Sequence, residues 1–214
     1  MIYAAAILIG YVCGLFQTAF IYGKLHGVDI RKEGSGNAGS TNALRTFGKG
    51  AGGLVLLDDF LKCVVAALIV YFLIGRNHPE VDYLLRALTG LGCALGHDFP
   101  VYMNFKGGKG AACLLGVAAT INPILAITGF IFFILIAVFT HYVSLASLLA
   151  GVYFLVGVVI IGQRGYFHMG AQHLTAMYAA AAAIVALLFF QHRGNIARLI
   201  KGVERKTYIS GKKG

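Results

Sequence analysis

Pro123–Thr140 (PILAITGFIFFILIAVFT) and, two residues on, Val143–Ile161 (VSLASLLAGVYFLVGVVII) contain no aspartate, glutamate, lysine or arginine. A helix needs about 20 mainly apolar residues to cross the ~30 Å hydrocarbon core of a bilayer. Two such runs in succession decide the fold class: all-α, a polytopic membrane helix bundle.

The remainder of the chain agrees. Of 214 residues, 58% are hydrophobic and 12% charged, with mean hydropathy +0.79, whereas a soluble domain carries roughly 25% charged residues. So little polar surface could not cover a soluble fold of this length, and the soluble classes are excluded. Further apolar runs cover about Ile2–Tyr22, Ala51–Gly75, Tyr83–Gly96, Ala111–Ile121 and Leu174–Phe190. Short turns join or break the briefer ones, so the expected count is five to seven spans, with seven preferred. The first run lacks the basic n-region of a cleavable signal peptide. Residues 1–214 are expected to form one domain, without linker, low-complexity tract or internal repeat.

Orientation follows from lysine and arginine, which favour the cytoplasmic side. With seven spans and the N-terminus outside, the inside loops and tail collect Lys24, Arg31, Lys32, Arg45, Lys49, Lys106, Lys109, Arg193, Arg198, Lys201, Arg205, Lys206, Lys212 and Lys213. Only Arg76, Arg86 and Arg164 fall outside, and Lys62 stands within a span. N-out, C-in is the expected topology. The four cysteines, Cys13, Cys63, Cys93 and Cys113, all sit in apolar runs without CxxC or metal-ligand spacing. They read as small packing residues.

Against this apolar background the polar islands carry the chemistry. The first runs Glu33-Gly34-Ser35-Gly36-Asn37-Ala38-Gly39-Ser40-Thr41-Asn42-Ala43-Leu44-Arg45. Glycines let backbone N–H groups converge on an anion, hydroxyls and amides add donors, and arginine supplies a planar phosphate clamp. The alternative is an ordinary interhelical loop. The second island is Gly96-His97-Asp98-Phe99-Pro100 with Phe105-Lys106-Gly107-Gly108-Lys109-Gly110, immediately before an apolar helix whose N-terminus favours an anion. It lacks Walker A spacing, which argues against an ATPase; two lysines near a membrane also serve topology or headgroup binding. Ser144 at the His141 turn either offers a hydroxyl to a cleft or caps a helix. The basic segment from His192 to Gly202 either joins the site or lies on anionic lipid. Asp59 and Lys62 share one helix face inside the second run, as a structural ion pair or part of a polar cleft.

Taken together, Ser35-Gly36-Asn37-x-Gly39-Ser40-Thr41-Asn42-x-x-Arg45, Gly96-His97-x-Phe99-Pro100 with Phe105-Lys106-Gly107-Gly108-Lys109-Gly110, and His192-Arg193-x-Asn195-Ile196-x-Arg198-Leu199-x-x-Gly202-x-Glu204 resemble three signature regions of the bacterial acyl-phosphate:glycerol-3-phosphate acyltransferases. The resemblance covers nearly the whole chain, and the first two signatures are long and specific. Departures are His141 where a basic residue, often arginine, is common, Ala146 in place of a small hydroxyl, Cys63 in place of glycine, and Ala111-Ala112-Cys113 in place of Val-Ala-Thr.

The resemblance implies a seven-helix enzyme of the bacterial cytoplasmic membrane. It would move a fatty acyl group from acyl phosphate to the sn-1 hydroxyl of glycerol 3-phosphate, with lysophosphatidic acid and phosphate as products. Partners are then acyl phosphate, glycerol 3-phosphate and membrane lipid, with no nucleic acid, no cofactor and no metal. Arg45, Lys106 and Lys109, with backbone N–H groups of Ser35–Gly39 and Gly107–Gly110, are expected to hold the two phosphates. Thr41, Asn42, His192 and Arg198 complete the expected binding set. Ser35, Asn37, Ser144 and Asn195 are candidate orienting donors. His97 is the natural suspect for a general base, but no histidine has an aspartate five residues later, so it is expected to orient substrate while a phosphate oxygen takes the proton. Competing classes are an anion transporter, which suits short helices and an intramembrane charge pair, and a lipid-binding scaffold, which uses only the basic tail.

Overall fold

The computed structural model describes residues 1–208, and every regular element among them is helical. Lys212 and Lys213, counted in the basic tail, lie outside the described residues. Ten helices follow in order: α1 (Ile2–Gly14), α2 (Thr18–Leu25), α3 (Ser40–Phe47), α4 (Lys49–Leu73), α5 (Asp82–Asp98), α6 (Ala111–Ile121), α7 (Pro123–Thr140), α8 (Val143–Gln163), α9 (Ala171–Gln191) and α10 (Arg193–Ile200).

All seven apolar runs are helical, and α6 and α7 match their expected bounds. Asn122 and Pro123 explain that match. The Asn122 side chain accepts a hydrogen bond from the Leu125 N–H at 2.9 Å, and proline takes the first turn, where no N–H is needed. Among the described residues, four stretches are long and apolar enough to cross a membrane: Ile2–Leu25, α7, α8 and α9. α4 has the length but carries Asp58, Asp59 and Lys62. The 11 residues of α6 rise only about 16 Å, half a bilayer. Its last turn ends against α5, where the Arg86 guanidinium donates to the Thr120 carbonyl at 2.7 Å and to Asp82 at 2.5 Å. Arg86, expected in an outside loop, thus sits one turn into α5.

The first run is not one helix. It breaks at Leu15–Gln17, and the carbonyls released there find donors at once. Gln17 Nε2 bonds the Gly14 and His97 carbonyls, and Lys62 Nζ bonds the Phe16 carbonyl at 2.9 Å. Backbone can leave the helix at membrane depth only when protein satisfies it in this way.

α1 and α5 pack backbone to backbone. A Cβ at Gly10 or Gly14 would stand 2.1 or 2.2 Å from carbonyl oxygens of α5, and one at Gly92 or Gly96 would stand equally close to those of α1. The reciprocal small-xxx-small pairs let the helices approach until dispersion contacts hold them, since lipid offers no hydrophobic drive between helices. This contact fixes the inner end of α5, where His97 and Asp98 lie. Side chains such as Leu85, Val117, Ile121, Val158 and Met177 fill the core, each no more than 1% exposed. Large apolar residues including Leu57, Leu68, Ile127, Ile131 and Phe139 point outward, as lipid contact requires.

Candidate active site

The inner ends of these helices and their loops enclose a cavity of about 530 Å³. Every residue expected in the site lines it except Gly36. That glycine instead makes a turn at φ +73°, its N–H bonded to the Glu33 carbonyl.

The first island enters as a folded loop followed by α3. Asn42, expected to bind substrate, is its latch. Its Oδ1 accepts from the Ser35 N–H at 2.8 Å, and its Nδ2 donates to the Ile30 and Glu33 carbonyls. With both donors used and 1% exposure, it holds the loop and has nothing left for a ligand. The expected anion nest is in part used up in the same way. The N–H groups of Ser35, Gly36 and Ala38 are bonded within the protein, the last to the Gly107 carbonyl. In the second island, Gly107 and Gly108 donate their N–H groups to the Asp98 and His97 carbonyls. These glycines serve close approach: a Cβ would fall 2.0 Å from the His97 carbonyl at Gly107 and 1.9 Å from His97 Nε2 at Gly108. Anion recognition therefore rests on side chains more than on backbone.

His97 belongs beneath the cavity floor. Its Nδ1 lies 2.8 Å from Lys62 Nζ and 3.3 Å from Asp59 Oδ1, those two are 2.7 Å apart, and its Nε2 is pressed on Gly108. Both readings of Asp59 and Lys62 find support: they form a buried pair with His97 as its third member, and Asp59 also lines the cavity. A ring bound on one edge and covered on the other, 2% exposed, is badly placed to receive a substrate proton. His97 thus borders the cavity from under the glycine loop and is placed to position that loop rather than, as expected, to orient substrate directly.

The tail supplies what sequence reasoning missed. After α10 the chain folds back as a strap over the cavity. The Thr207 N–H bonds the His141 carbonyl at 2.8 Å, Arg205 bonds the Gly34 carbonyl at 2.8 Å, and the Thr207 hydroxyl bonds Arg45. Glu204 is the hub of the strap. Its Oε1 accepts from Ser144 at 3.0 Å and Asn195 at 2.6 Å, and its Oε2 accepts from Arg198 at 2.7 Å. Lys109 donates to the Asn195 Oδ1 on the other side of that amide. Ser144 is thus no helix cap, and the tail is not simply a headgroup-binding segment. The one signal available was Glu204 itself, a lone acid among basic residues.

Electrostatics follow from this arrangement. Arg45, Lys106, Lys109, Arg193, Arg198 and Arg205 line the cavity, and only Arg198 is ion-paired among the described residues. Burial first, then the positive charge of Arg198, lowers the Lys109 ammonium to about 8, with Glu204 pulling the other way. Burial pushes the Glu204 carboxyl up, but hydrogen bonds from Asn195, Arg198 and Ser144 outweigh it and hold the group below the usual range. Burial lowers His192 to about 4 against its Nδ1 bond to the Leu188 carbonyl at 2.8 Å. The neutral ring then leaves Nε2 as an acceptor. This is a site for anions.

Beside it, Leu114, Leu115, Ala118, Leu125, Gly129, Phe130, Phe133, Tyr153 and Phe154 line an apolar groove of about 90 Å³ between α6, α7 and α8. Ser40, Thr41, Ala111, Ala112, Val143 and Ser147 border both spaces.

A family model described as glycerol-3-phosphate acyltransferase matches residues 4–202. The chain belongs to that family. The acyltransferase is 39% identical over 206 residues to the glycerol-3-phosphate acyltransferase of Clostridioides difficile (strain 630), covering 95% of each chain. It is 41% identical over 203 residues to that of Shouchella clausii (strain KSM-K16), covering 94% of each. It also superposes on a crystal structure of PlsY (YgiH), an integral membrane glycerol 3-phosphate acyltransferase in its glycerol 3-phosphate form. There the TM-score is 0.82 at 35% identity, over 96% of this chain and 95% of that one. The lysophosphatidic acid form gives a TM-score of 0.80 at 34% identity, over 95% and 94%. The acyltransferase is accordingly an integral membrane enzyme.

Proposed function

We propose that the enzyme transfers a fatty acyl group from acyl phosphate to the sn-1 hydroxyl of glycerol 3-phosphate, releasing lysophosphatidic acid and inorganic phosphate. The observation that carries this reading is the shared wall between a cationic cavity and an apolar groove. A phosphorylated headgroup and a hydrocarbon chain must meet at the reacting carbon, and the two spaces adjoin at Thr41, Ala112 and Ser147. Residues 1–214 act as one domain crossing the bacterial cytoplasmic membrane seven times, N-terminus outside, with the cavity facing the cytoplasm. The inside bias of lysine and arginine supports that orientation.

Acyl phosphate is already activated, so no covalent enzyme intermediate is needed. The sn-1 oxygen attacks the carbonyl carbon, the carbon–oxygen bond to phosphate breaks, and the electron pair leaves with phosphate. Arg45, Lys106, Lys109 and Arg198 neutralise the two phosphates. Glu204 accepts the Ser144 hydroxyl hydrogen and one Asn195 Nδ2 hydrogen, so Ser144 Oγ accepts from the substrate hydroxyl while the second Nδ2 hydrogen faces the developing oxyanion with Ser35 and Asn37. Neutral His192 shares that hydroxyl hydrogen bond through Nε2. Near 4 it is too weak a base to hold the proton, which passes to a substrate phosphate oxygen, whose second pKa lies near 6.

The test uses purified protein in detergent with glycerol 3-phosphate and palmitoyl phosphate, without metal, following phosphate and lysophosphatidic acid together. Stoichiometric products, abolished in Arg45→Ala and Lys109→Ala, are expected. Acylation from acyl-CoA or acyl carrier protein instead would overturn the donor assignment, and anion uptake into proteoliposomes without product would overturn the reaction.

A further inference from the structure

Three helices that meet beneath the cavity each contribute one cysteine: Cys63 from α4, Cys93 from α5 and Cys113 from α6. Their sulfurs all lie within 4.8 Å of one another, with Cys63 and Cys93 3.2 Å apart. All three thiols are free and no more than 2% exposed. Spacings of 30 and 20 residues in sequence hide the group, whereas the fold closes it. Packing alone asks only for small side chains, and Gly116, where a Cβ would stand 2.8 Å from Cys63 Cβ, meets that need without sulfur.

We propose that this cluster is a binding site for one monovalent copper ion. Three thiolates around a metal at about 2.3 Å stand roughly 4 Å apart in a trigonal plane, within the spread seen here. Soft sulfur ligands select Cu(I), whereas zinc asks for four tetrahedral ligands, and the group among the described residues holds three donors. Binding takes the thiolate form, so protons leave to solvent as the ion enters. The Lys62 ammonium lies within Coulombic reach of Cys93 and Cys113, although most of its charge is met by Asp59 at 2.7 Å. Asp98, at the end of α5, lines the cavity above and lies within Coulombic reach of Cys113, so the cluster sits directly beneath the cavity floor.

Occupancy would tie α4, α5 and α6 together below the glycine loop, so the metal should raise the melting temperature by stabilising the folded state. The experiment titrates the purified protein in detergent, under argon with ascorbate, against Cu(I) held by a chromogenic chelator. One copper per chain is expected to leave the chelator, with a rise in Tm and an all-sulfur shell by X-ray absorption. Cys63→Ala, Cys93→Ala and Cys113→Ala should each weaken uptake at least tenfold, and Cys13→Ala should leave it unchanged. Gel filtration and acyltransferase activity check that each variant is folded. Should one not fold, the other two carry the test, since each removes one of three ligands. Failure to withdraw copper, or uptake equal in the folded cysteine variants, would overturn the proposal and leave the acyltransferase reading untouched.

Discussion

Glu204→Gln should move the alkaline limb of the enzyme's pH profile downward. Lys109 titrates at about 8 in the free enzyme, and its protonated form is the one that attracts phosphate. The profile of kcat/KM, which reports free-enzyme groups, should therefore fall above about pH 8. Lys109 bonds the Asn195 Oδ1, and the Asn195 Nδ2 is 2.6 Å from Glu204. The two charges are thus separated by one amide. At roughly 6 Å and an effective dielectric near 20 their attraction is ~3 kcal/mol. Solvent entering through the cavity mouth screens this to ~1–1.5 kcal/mol, or about one pH unit. The sign follows from what is removed: losing the carboxylate destabilises the ammonium, so its pKa falls and the limb moves from near pH 8 toward 7. Glutamine still accepts from Ser144 and Asn195, and a uniform loss of rate leaves the position of the limb unaffected. The assay is kcat/KM for glycerol 3-phosphate across pH 6 to 10, with phosphate release as readout. In Lys109→Arg the limb should vanish, because arginine stays protonated. An unmoved or upward-moving limb in Glu204→Gln would refute the coupling, and a limb persisting in Lys109→Arg would refute its assignment.

Gly108→Ala drives a methyl group into His97 Nε2; kcat/KM should fall by roughly 10²-fold through misplacement of Lys109, with partial recovery in the double variant that also carries His97→Ala. Lys62→Met leaves Asp59 buried without its partner and should cost roughly 3 kcal/mol, read as a lower Tm in detergent, with Asp59→Asn recovering part of it. His97→Asn should likewise lower Tm yet leave the acidic side of the pH profile in place; loss of that limb at saturating substrate would instead make His97 the base. Ala118→Phe fills the far end of the apolar groove, about 10 Å along α6 from Ala111, and should depress turnover of palmitoyl phosphate while sparing short-chain acyl phosphates.

Much of this enzyme is legible along the chain because bilayer-spanning helices are written in local composition. The α6–α7 boundary needed only Asn122 and Pro123, and the basic residues near the cavity stand out against an apolar background. Roles that depend on distant partners were not legible. Asn42 reads as a ligand until Ile30, Glu33 and Ser35 are seen to use its amide. His97 reads as a residue that orients substrate until Lys62 and Asp59, more than 30 residues earlier, are seen at its Nδ1. The break before Thr18 is likewise invisible, because the donors that satisfy it come from the Gln17 side chain and from α4. Glycines misled in one consistent way: Gly107 and Gly108 resemble a phosphate cradle, but they are there because α5 leaves no room for a side chain.

Glu204, Arg205 and Thr207 leave the ribosome after every long apolar helix has done so, yet they close a cavity whose walls begin as early as Ser35. Synthesis and competence are therefore separated in time. A nascent chain that has inserted its hydrophobic helices still lacks the carboxylate that bonds Asn195, Ser144 and Arg198, and is expected to be inactive until its last turn docks. The same arrangement makes translation past Gly202 a checkpoint: a product stopped there would be inserted in the membrane and silent.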